Sequence, residues 1–152
     1  MSVETAPRRT RSPAARVLIV ALLLFIAVTA VLWYTGVLKP RPRIVLVTAS
    51  ATGNYWEMIV RGAEDAAERY NVKLDVIRPA SDEPSQSAAI AGLIGKPIDG
   101  VAVSPNDPPR QAAILADLGS HTNLIMYDSD TPVSTRLCFI GTDNYDAGRT
   151  CG

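Results

Sequence analysis

The sequence has few of the residues that catalysis or metal binding requires. Among its 152 residues are two cysteines and one histidine. The cysteines, Cys138 and Cys151, have neither metal-ligand spacing nor a CxxC pattern, and nothing in their spacing demands a disulfide. No glycine-rich phosphate-binding motif follows the first predicted strand, and neither a GxSxG elbow nor a Cys-His pairing is present. These absences argue against an enzyme, a metal site and a bound cofactor.

An excess of charge of either sign is also lacking. The 15 basic and 15 acidic residues cancel, which argues against bulk binding of nucleic acid. The charges are unevenly distributed, however. Residues 1–16 hold four arginines against one acid, Glu4, and the sequence after Tyr34 is mildly acidic. A basic leader before an acidic domain is typical of membrane targeting.

The segment Val17–Tyr34 is long and apolar enough to cross a membrane. It is uncharged and has one polar residue, Thr29. As a helix it would span roughly 27 Å, close to the thickness of the hydrocarbon core. Trp33 and Tyr34 fall where interfacial aromatic residues usually lie. Because the arginines precede the segment, we expect residues 1–16 to form a basic cytoplasmic leader.

The same segment could be a cleaved signal peptide, because Val28-Thr29-Ala30 resembles a peptidase site. The apolar run continues past Ala30, which favours an uncleaved anchor. Either interpretation exports the rest of the chain. Residues 35–43 are basic and contain two prolines, which predicts a short, stiff linker. The sequence from residue 44 to residue 152 is long enough for one domain.

Strand-like and helix-like patterns alternate through this domain. The predicted strands are Ile44–Thr48, Lys73–Ile77, Gly100–Val103, Asn123–Tyr127 and Cys138–Ile140. The predicted helices run over Tyr55–Tyr70, from Glu83 to about Ile94, from Pro108 to about Leu118, and from near Asn144. This alternation predicts an α/β fold with an open parallel sheet of about five strands and helices on both faces, preceded by one transmembrane helix. Since the last pattern stops within two turns, we expect a fragment of a longer protein.

A cluster of polar or aromatic residues follows each predicted strand. The clusters are Ser50–Trp56, Pro79–Asp82, Ser104–Asp107, Asp128–Asp130 and Thr142–Asn144. In open parallel sheets, ligands bind outside the carboxyl ends of the strands. The five loops are therefore predicted to converge on one site for a small, hydroxyl-rich ligand.

Two adjacent aromatic residues, Tyr55 and Trp56, begin the first helix of the domain. An aromatic face can stack on the apolar face of a sugar ring. Core packing is the alternative, and it is favoured more for Trp56 than for Tyr55. Because adjacent helical residues point about 100° apart, we expect one ring to stack on a ligand and the other to pack.

Carboxylate and hydroxyl groups follow the third and fourth strands. Asp128 directly follows its strand, and an ionised carboxylate can accept hydrogen bonds from two neighbouring hydroxyls. Ser104 is the first polar residue after its strand. Asp130 is a ligand candidate that could instead form a turn or pair with Arg136. Thr142, Asp143 and Asn144 could contact ligand, cap the last helix or form a hinge, and capping is favoured.

The domain resembles the type 1 periplasmic sugar-binding proteins, the ribose- and galactose-binding receptors of ABC importers. The resemblance is carried by Gly53-Asn54-Tyr55-Trp56, Val60-Arg61-Gly62-Ala63, Asp99-Gly100-Val101-Ala102-Val103-Ser104-Pro105, Tyr127-Asp128-Ser129-Asp130 and Ile140-Gly141-Thr142-Asp143-Asn144. It implies that residues 44–152 are the N-terminal lobe of a two-lobed receptor and that residues 142–144 form the inter-lobe hinge. It also implies a sugar site at Asn54, Tyr55, Trp56, Ser104, Asp128 and Asp130.

The resemblance further implies a receptor outside the cytoplasmic membrane, with a sugar as ligand and an ABC permease as partner. The alternative function is a membrane-anchored sugar-sensing input domain of a signalling protein. Ser129 stands where the ribose-type pattern has an arginine, so the identity of the sugar stays open.

Overall fold

In a computed structural model of the protein, which describes residues 13–34, 36, 40–131 and 135–152, the apolar N-terminal segment forms one helix. This helix, α1, covers Pro13–Tyr34 and begins four residues before the predicted span. The hydroxyl of Thr29 donates within the helix to the carbonyls of Phe25 and Ile26, at 3.0 and 2.9 Å. The helix is therefore a candidate membrane span by length and composition. Most of the predicted leader, residues 1–12, lies outside the described residues.

A separate domain extends from Arg41 to Gly152 and alternates strands with helices. Its elements are β1 (Arg43–Val47), α2 (Asn54–Arg69), β2 (Lys73–Ile77), α3 (Glu83–Ala91), β3 (Gly100–Val103), α4 (Pro108–His121), β4 (Asn123–Tyr127), β5 (Arg136–Ile140) and α5 (Asn144–Cys151). The bounds of β2, β3 and β4 match the prediction. β1 begins at Arg43, the last residue of the predicted linker, because Arg43 pairs with Lys73 of β2; its amide also donates to the Asp99 carboxylate at 2.7 Å.

The five strands form one parallel sheet in the order β2-β1-β3-β4-β5. Val47 lies beside both Ile77 and Val103, and Tyr127 lies beside Ile140. The carboxyl ends of all five strands consequently share one edge, as predicted.

Alternate residues of each buried strand point to opposite faces of the sheet, and both faces are covered by helices. Val45 and Val47 pack with Val101, Leu124 and Met126 beneath residues of α3 and α4. Leu46 and Tyr127 instead pack against Val60 and Trp56 of α2. The prediction of helices on both faces is confirmed.

Aspartates begin three of the helices. Asp82, Asp107 and Asp143 each accept a hydrogen bond from a backbone amide of the first turn, which supplies a partner to a group the helix itself cannot satisfy. Because these caps follow β2, β3 and β5, they fix where three of the loops at the carboxyl edge end.

Candidate functional site

Asp128 lies directly after β4 with its backbone in the left-handed region, at φ 63°. Aspartate tolerates this region better than most residues, but such conformations concentrate at functional sites. The amide of Asp128 donates to the carbonyl of Ile140 at 2.9 Å. The hydrogen bonding of β4 to β5 thus continues one residue past the end of β4 and holds the backbone of Asp128 in place.

The carboxylate of Asp128 accepts one hydroxyl on each oxygen. The Tyr55 hydroxyl donates to Oδ1 at 2.8 Å, and the Ser104 hydroxyl donates to Oδ2 at 3.1 Å. Ser104 is fully buried, whereas Asp128 is exposed. Two predicted site residues, Tyr55 at the start of α2 and Ser104 after β3, are therefore bonded to a third, Asp128 after β4.

The two adjacent aromatic residues have different surroundings. Trp56 packs with Leu46, Val60 and Tyr127, and its ring meets that of Tyr127 edge to face at 6.4 Å. Tyr55 is 49% exposed and touches Trp56 edge to face, with ring centroids 4.9 Å apart. The packing role expected for one of the pair falls on Trp56, whereas Tyr55 lines a cleft and its stacking role stays a prediction.

Tyr127 lines the same cleft as Tyr55 and Asp128, although the sequence predicts no ligand role for it. Its hydroxyl donates to the carbonyl of Val47 at 3.1 Å. Burial raises the pKa of Tyr127 far above its ordinary value, and the nearby charge of Asp128 adds to this effect. The pKa of Tyr55 is also raised, chiefly because its hydroxyl donates to Asp128. Both tyrosines are therefore neutral donors at physiological pH.

A cleft of about 350 Å³ opens at this point. It is lined by Tyr55, Ile59, Tyr127, Asp128, Ile140, Gly141, Thr142 and Asn144. It is apolar on the side of Ile59 and Ile140 and polar around Asp128. No lysine or arginine is among these lining residues, so Asp128 leaves the cleft negatively charged.

The loop after β5 both borders the cleft and starts a helix. Asp143 accepts from the amides of Tyr145 and Asp146, each at 3.0 Å, which confirms the predicted cap. Thr142 and Asn144 line the cleft on either side of it. The hinge role of residues 142–144 stays a prediction.

Asp130 has a different partner from Asp128. Arg136 donates to its two oxygens through Nε and Nη2, at 2.8 and 3.0 Å. This bidentate pair is the one anticipated for Arg136, and it occupies both oxygens of the carboxylate. Asp130 is absent from the cleft lining, so a ligand role for it stays a prediction.

The remaining candidates lie near the cleft without lining it. Asn54 is exposed in the first turn of α2, next to Gly53, whose φ of 114° favours glycine. The loop after β2 is bonded to the loops after β1 and β3, and its contact with a ligand stays a prediction. Ser81 bonds to Ser50 at 2.7 Å, and the carbonyl of Asp82 accepts from Asn106 at 3.3 Å.

Two fully buried glutamines, for which the sequence predicts no role, connect the loops beneath the site. Gln86 of α3 donates to the carbonyls of Thr48 and Ser104, at 3.0 and 2.8 Å. Its own oxygen accepts from the amide of Asn106 at 2.8 Å and from Gln111 of α4 at 3.0 Å. This network fixes the backbone that carries Ser104. On a helix, a glutamine resembles a solvated residue, so only its burial reveals the role.

Comparison with known proteins identifies the family of the domain. Residues 44–152 match the periplasmic binding protein domain family. The chain belongs to that family. The resemblance to type 1 periplasmic sugar-binding proteins is thereby confirmed, and the family implies an extracytoplasmic location. Its members are substrate-binding proteins, not enzymes.

Solved structures of periplasmic binding proteins superpose on the domain. AraP, an arabinose-binding protein from Geobacillus stearothermophilus, is 30% identical with a TM-score of 0.66 over 74% of this chain and 39% of its own. An ABC transporter solute-binding protein from Burkholderia graminis, in complex with D-arabinose, is 29% identical with a TM-score of 0.66 over 72% and 38%.

A third structure, GanP, a glucose-galactose-binding protein from Geobacillus stearothermophilus, is 24% identical with a TM-score of 0.69 over 74% and 41%; at this identity the likeness concerns the fold. The chain thus spans about two fifths of the length of these structures. Comparison with curated proteins gave no match.

Proposed function

We propose that the protein is a receptor that captures a sugar or related polyol outside the cytoplasmic membrane for ABC-type import. The observation that carries this proposal is the carboxylate of Asp128, held at the carboxyl edge of the sheet by Ser104 and Tyr55. A carboxylate has about four lone-pair positions, and two are taken by these hydroxyls. The others can accept hydroxyls of a ligand.

The charge of the cleft supports a neutral ligand. Asp128 is the only ionised group among its lining residues, and no lining residue is cationic. An uncharged hydroxyl gains a charge-assisted hydrogen bond there, whereas a sugar acid or sugar phosphate would be repelled. The exposed ring of Tyr55 supplies the apolar surface on which a sugar ring can stack.

The relatives support a sugar in particular. AraP is named an arabinose-binding protein, and the protein from Burkholderia graminis holds D-arabinose. Because the chain spans about two fifths of these proteins, we further propose that it contributes one lobe of the site. A second lobe would close over Asp128 by rotation at residues 142–144.

Helix α1 is proposed to anchor the receptor in the membrane, with the domain on the outer side. An ABC permease would then bind the receptor in the form in which its two lobes are closed. The alternative, a sugar-sensing input domain, needs the same binding step but a different partner. Cross-linking in native membranes distinguishes them, because an importer yields a permease adduct and a sensor yields a signalling protein.

The direct test is an NMR titration of the detergent-solubilised chain with D-arabinose, D-glucose and D-galactose. D-galacturonate serves as the charged control. The proposal expects at least one neutral sugar to shift the signals of Tyr55, Ser104 and Thr142, with little response to the acid. Shifts confined to residues outside the cleft, or none with any sugar, would contradict it.

A further inference from the structure

We propose that the Tyr55 hydroxyl occupies the position on Oδ1 of Asp128 that best suits a sugar hydroxyl, so that a sugar binding at this position displaces it. Tyr55 would then be a determinant of affinity in two opposing ways. Its ring favours the sugar through stacking, and its hydroxyl competes with a sugar hydroxyl for Oδ1 of Asp128. This inference rests on the proposed sugar-binding function.

The two hydroxyls on Asp128 differ in whether they can leave. Ser104 is fully buried, so a hydroxyl that left Oδ2 would have no water to replace the lost hydrogen bond. Tyr55 is 49% exposed and sits in the first turn of α2, where a rotation about its Cα–Cβ bond carries the ring and its hydroxyl together away from Oδ1. The Tyr55 hydroxyl is therefore the donor that can be exchanged, and Oδ1 of Asp128 is the atom to which a ligand hydroxyl can bind in its place.

Asp128 does not need Tyr55 to keep its position. Its amide is bonded to the carbonyl of Ile140 at 2.9 Å, and its second oxygen is held by Ser104 at 3.1 Å. The carboxylate thus stays directed into the cleft when the Tyr55 hydroxyl is absent. Removing that hydroxyl should expose an acceptor and leave the site otherwise unchanged.

The ring of Tyr55 is held by a contact that does not involve its hydroxyl. It meets Trp56 edge to face at 4.9 Å, and Trp56 is itself fixed by packing against the sheet. Tyr55→Phe consequently removes the competitor and retains the aromatic surface, whereas Tyr55→Ala removes both.

The experiment measures the affinity of the solubilised chain for D-arabinose, D-glucose and D-galactose, for the parent and for both variants. For the sugar that binds, Tyr55→Phe should tighten binding by roughly five- to tenfold, the net scale of one exposed hydrogen bond that no longer has to be broken. Tyr55→Ala should weaken binding. Tyr145→Phe, an exposed tyrosine of α5 outside the cleft, should leave the affinity unchanged.

A second readout needs no ligand. The hydroxyl bond to Asp128 raises the pKa of Tyr55 above 10.0, so Asp128→Asn should lower that pKa in an NMR titration. Unchanged or weaker sugar binding by Tyr55→Phe overturns the competitor role even if sugar binds. An unshifted Tyr55 pKa in Asp128→Asn overturns it as well. Failure of every variant to bind any sugar, with the Tyr55 pKa behaving as expected, overturns the proposed function and this inference with it.

Discussion

The side chains of Gln86 and Gln111 meet in the interior of the domain, where the Gln111 amide donates to the Gln86 oxygen at 3.0 Å. Both residues are fully buried, yet they lie on different helices. Through Gln86 the contact reaches the backbone of Thr48, Ser104 and Asn106. The loops after β1 and β3 are thereby tied to α3 and α4, and Ser104 is held within reach of Asp128.

Replacing Gln86 should destabilise the domain. Gln86→Leu keeps the size of the side chain but leaves two carbonyls and an amide without a buried partner, which should cost about 3 kcal/mol of unfolding free energy. Urea denaturation measures the change. Ala88→Leu places the same side chain at an exposed position of α3 and should change stability little. Equal changes in unfolding free energy for Gln86→Leu and Ala88→Leu would show that the buried hydrogen bonds of Gln86 do not stabilise the domain.

Asp128→Ala should weaken sugar binding by about 2 kcal/mol, because charge-assisted hydrogen bonds to the ligand are lost. Calorimetry or NMR titration with the sugar that the parent binds measures the change. Asp65→Ala, on the exposed face of α2, removes the same charge away from the cleft and should have no effect. Parent-like affinity of Asp128→Ala would remove Asp128 from the site.

Asp130 and Asp128 should respond differently to the same substitution. Asp130 is not among the residues that line the cleft, and the Arg136 guanidinium holds both of its oxygens, so Asp130→Asn should alter sugar affinity less than Asp128→Asn does. The pair is about one quarter exposed, and its loss should cost roughly 1 kcal/mol of stability or less. A larger loss of affinity for Asp130→Asn would establish Asp130 as a ligand contact.

Stability should fall in strongly alkaline solution because of Tyr127. Burial and the charge of Asp128 raise the pKa of this phenol above its unfolded value of 10.0. A group whose pKa is higher in the folded state contributes stability that is complete below pH 10 and is lost as pH rises further. Unfolding measurements between pH 9 and pH 11 should therefore show a decline that is smaller in Tyr127→Phe. Tyr70→Phe, at an exposed position, should retain the decline of the parent.

Local patterns predicted most of the fold because the forces that place each element act over short distances along the chain. The apolar run of β1 predicts a buried strand, and the aspartates before α3, α4 and α5 predict helix starts; both signals are complete within a few residues. The predicted and observed bounds of β2, β3 and β4 accordingly agree. The end of α3 differs: α3 stops at Ala91 rather than near Ile94, although Leu93 and Ile94 still pack into the core. Their apolar character reflects burial rather than helical conformation.

The pattern of the sequence by itself determined the alternation of strands and helices, the apolar N-terminal helix and the edge of the sheet at which polar residues collect. The tertiary structure decided which of those residues meet. Tyr55 and Asp128 are 73 positions apart, and the order of the strands sets the distance between them. Likewise, only packing shows that Gln86 is buried and that Arg136 pairs with Asp130 and not with Asp128. A hydrogen bond depends on positions in space to within a fraction of an ångström, and such positions follow from how the whole sheet and its helices pack together.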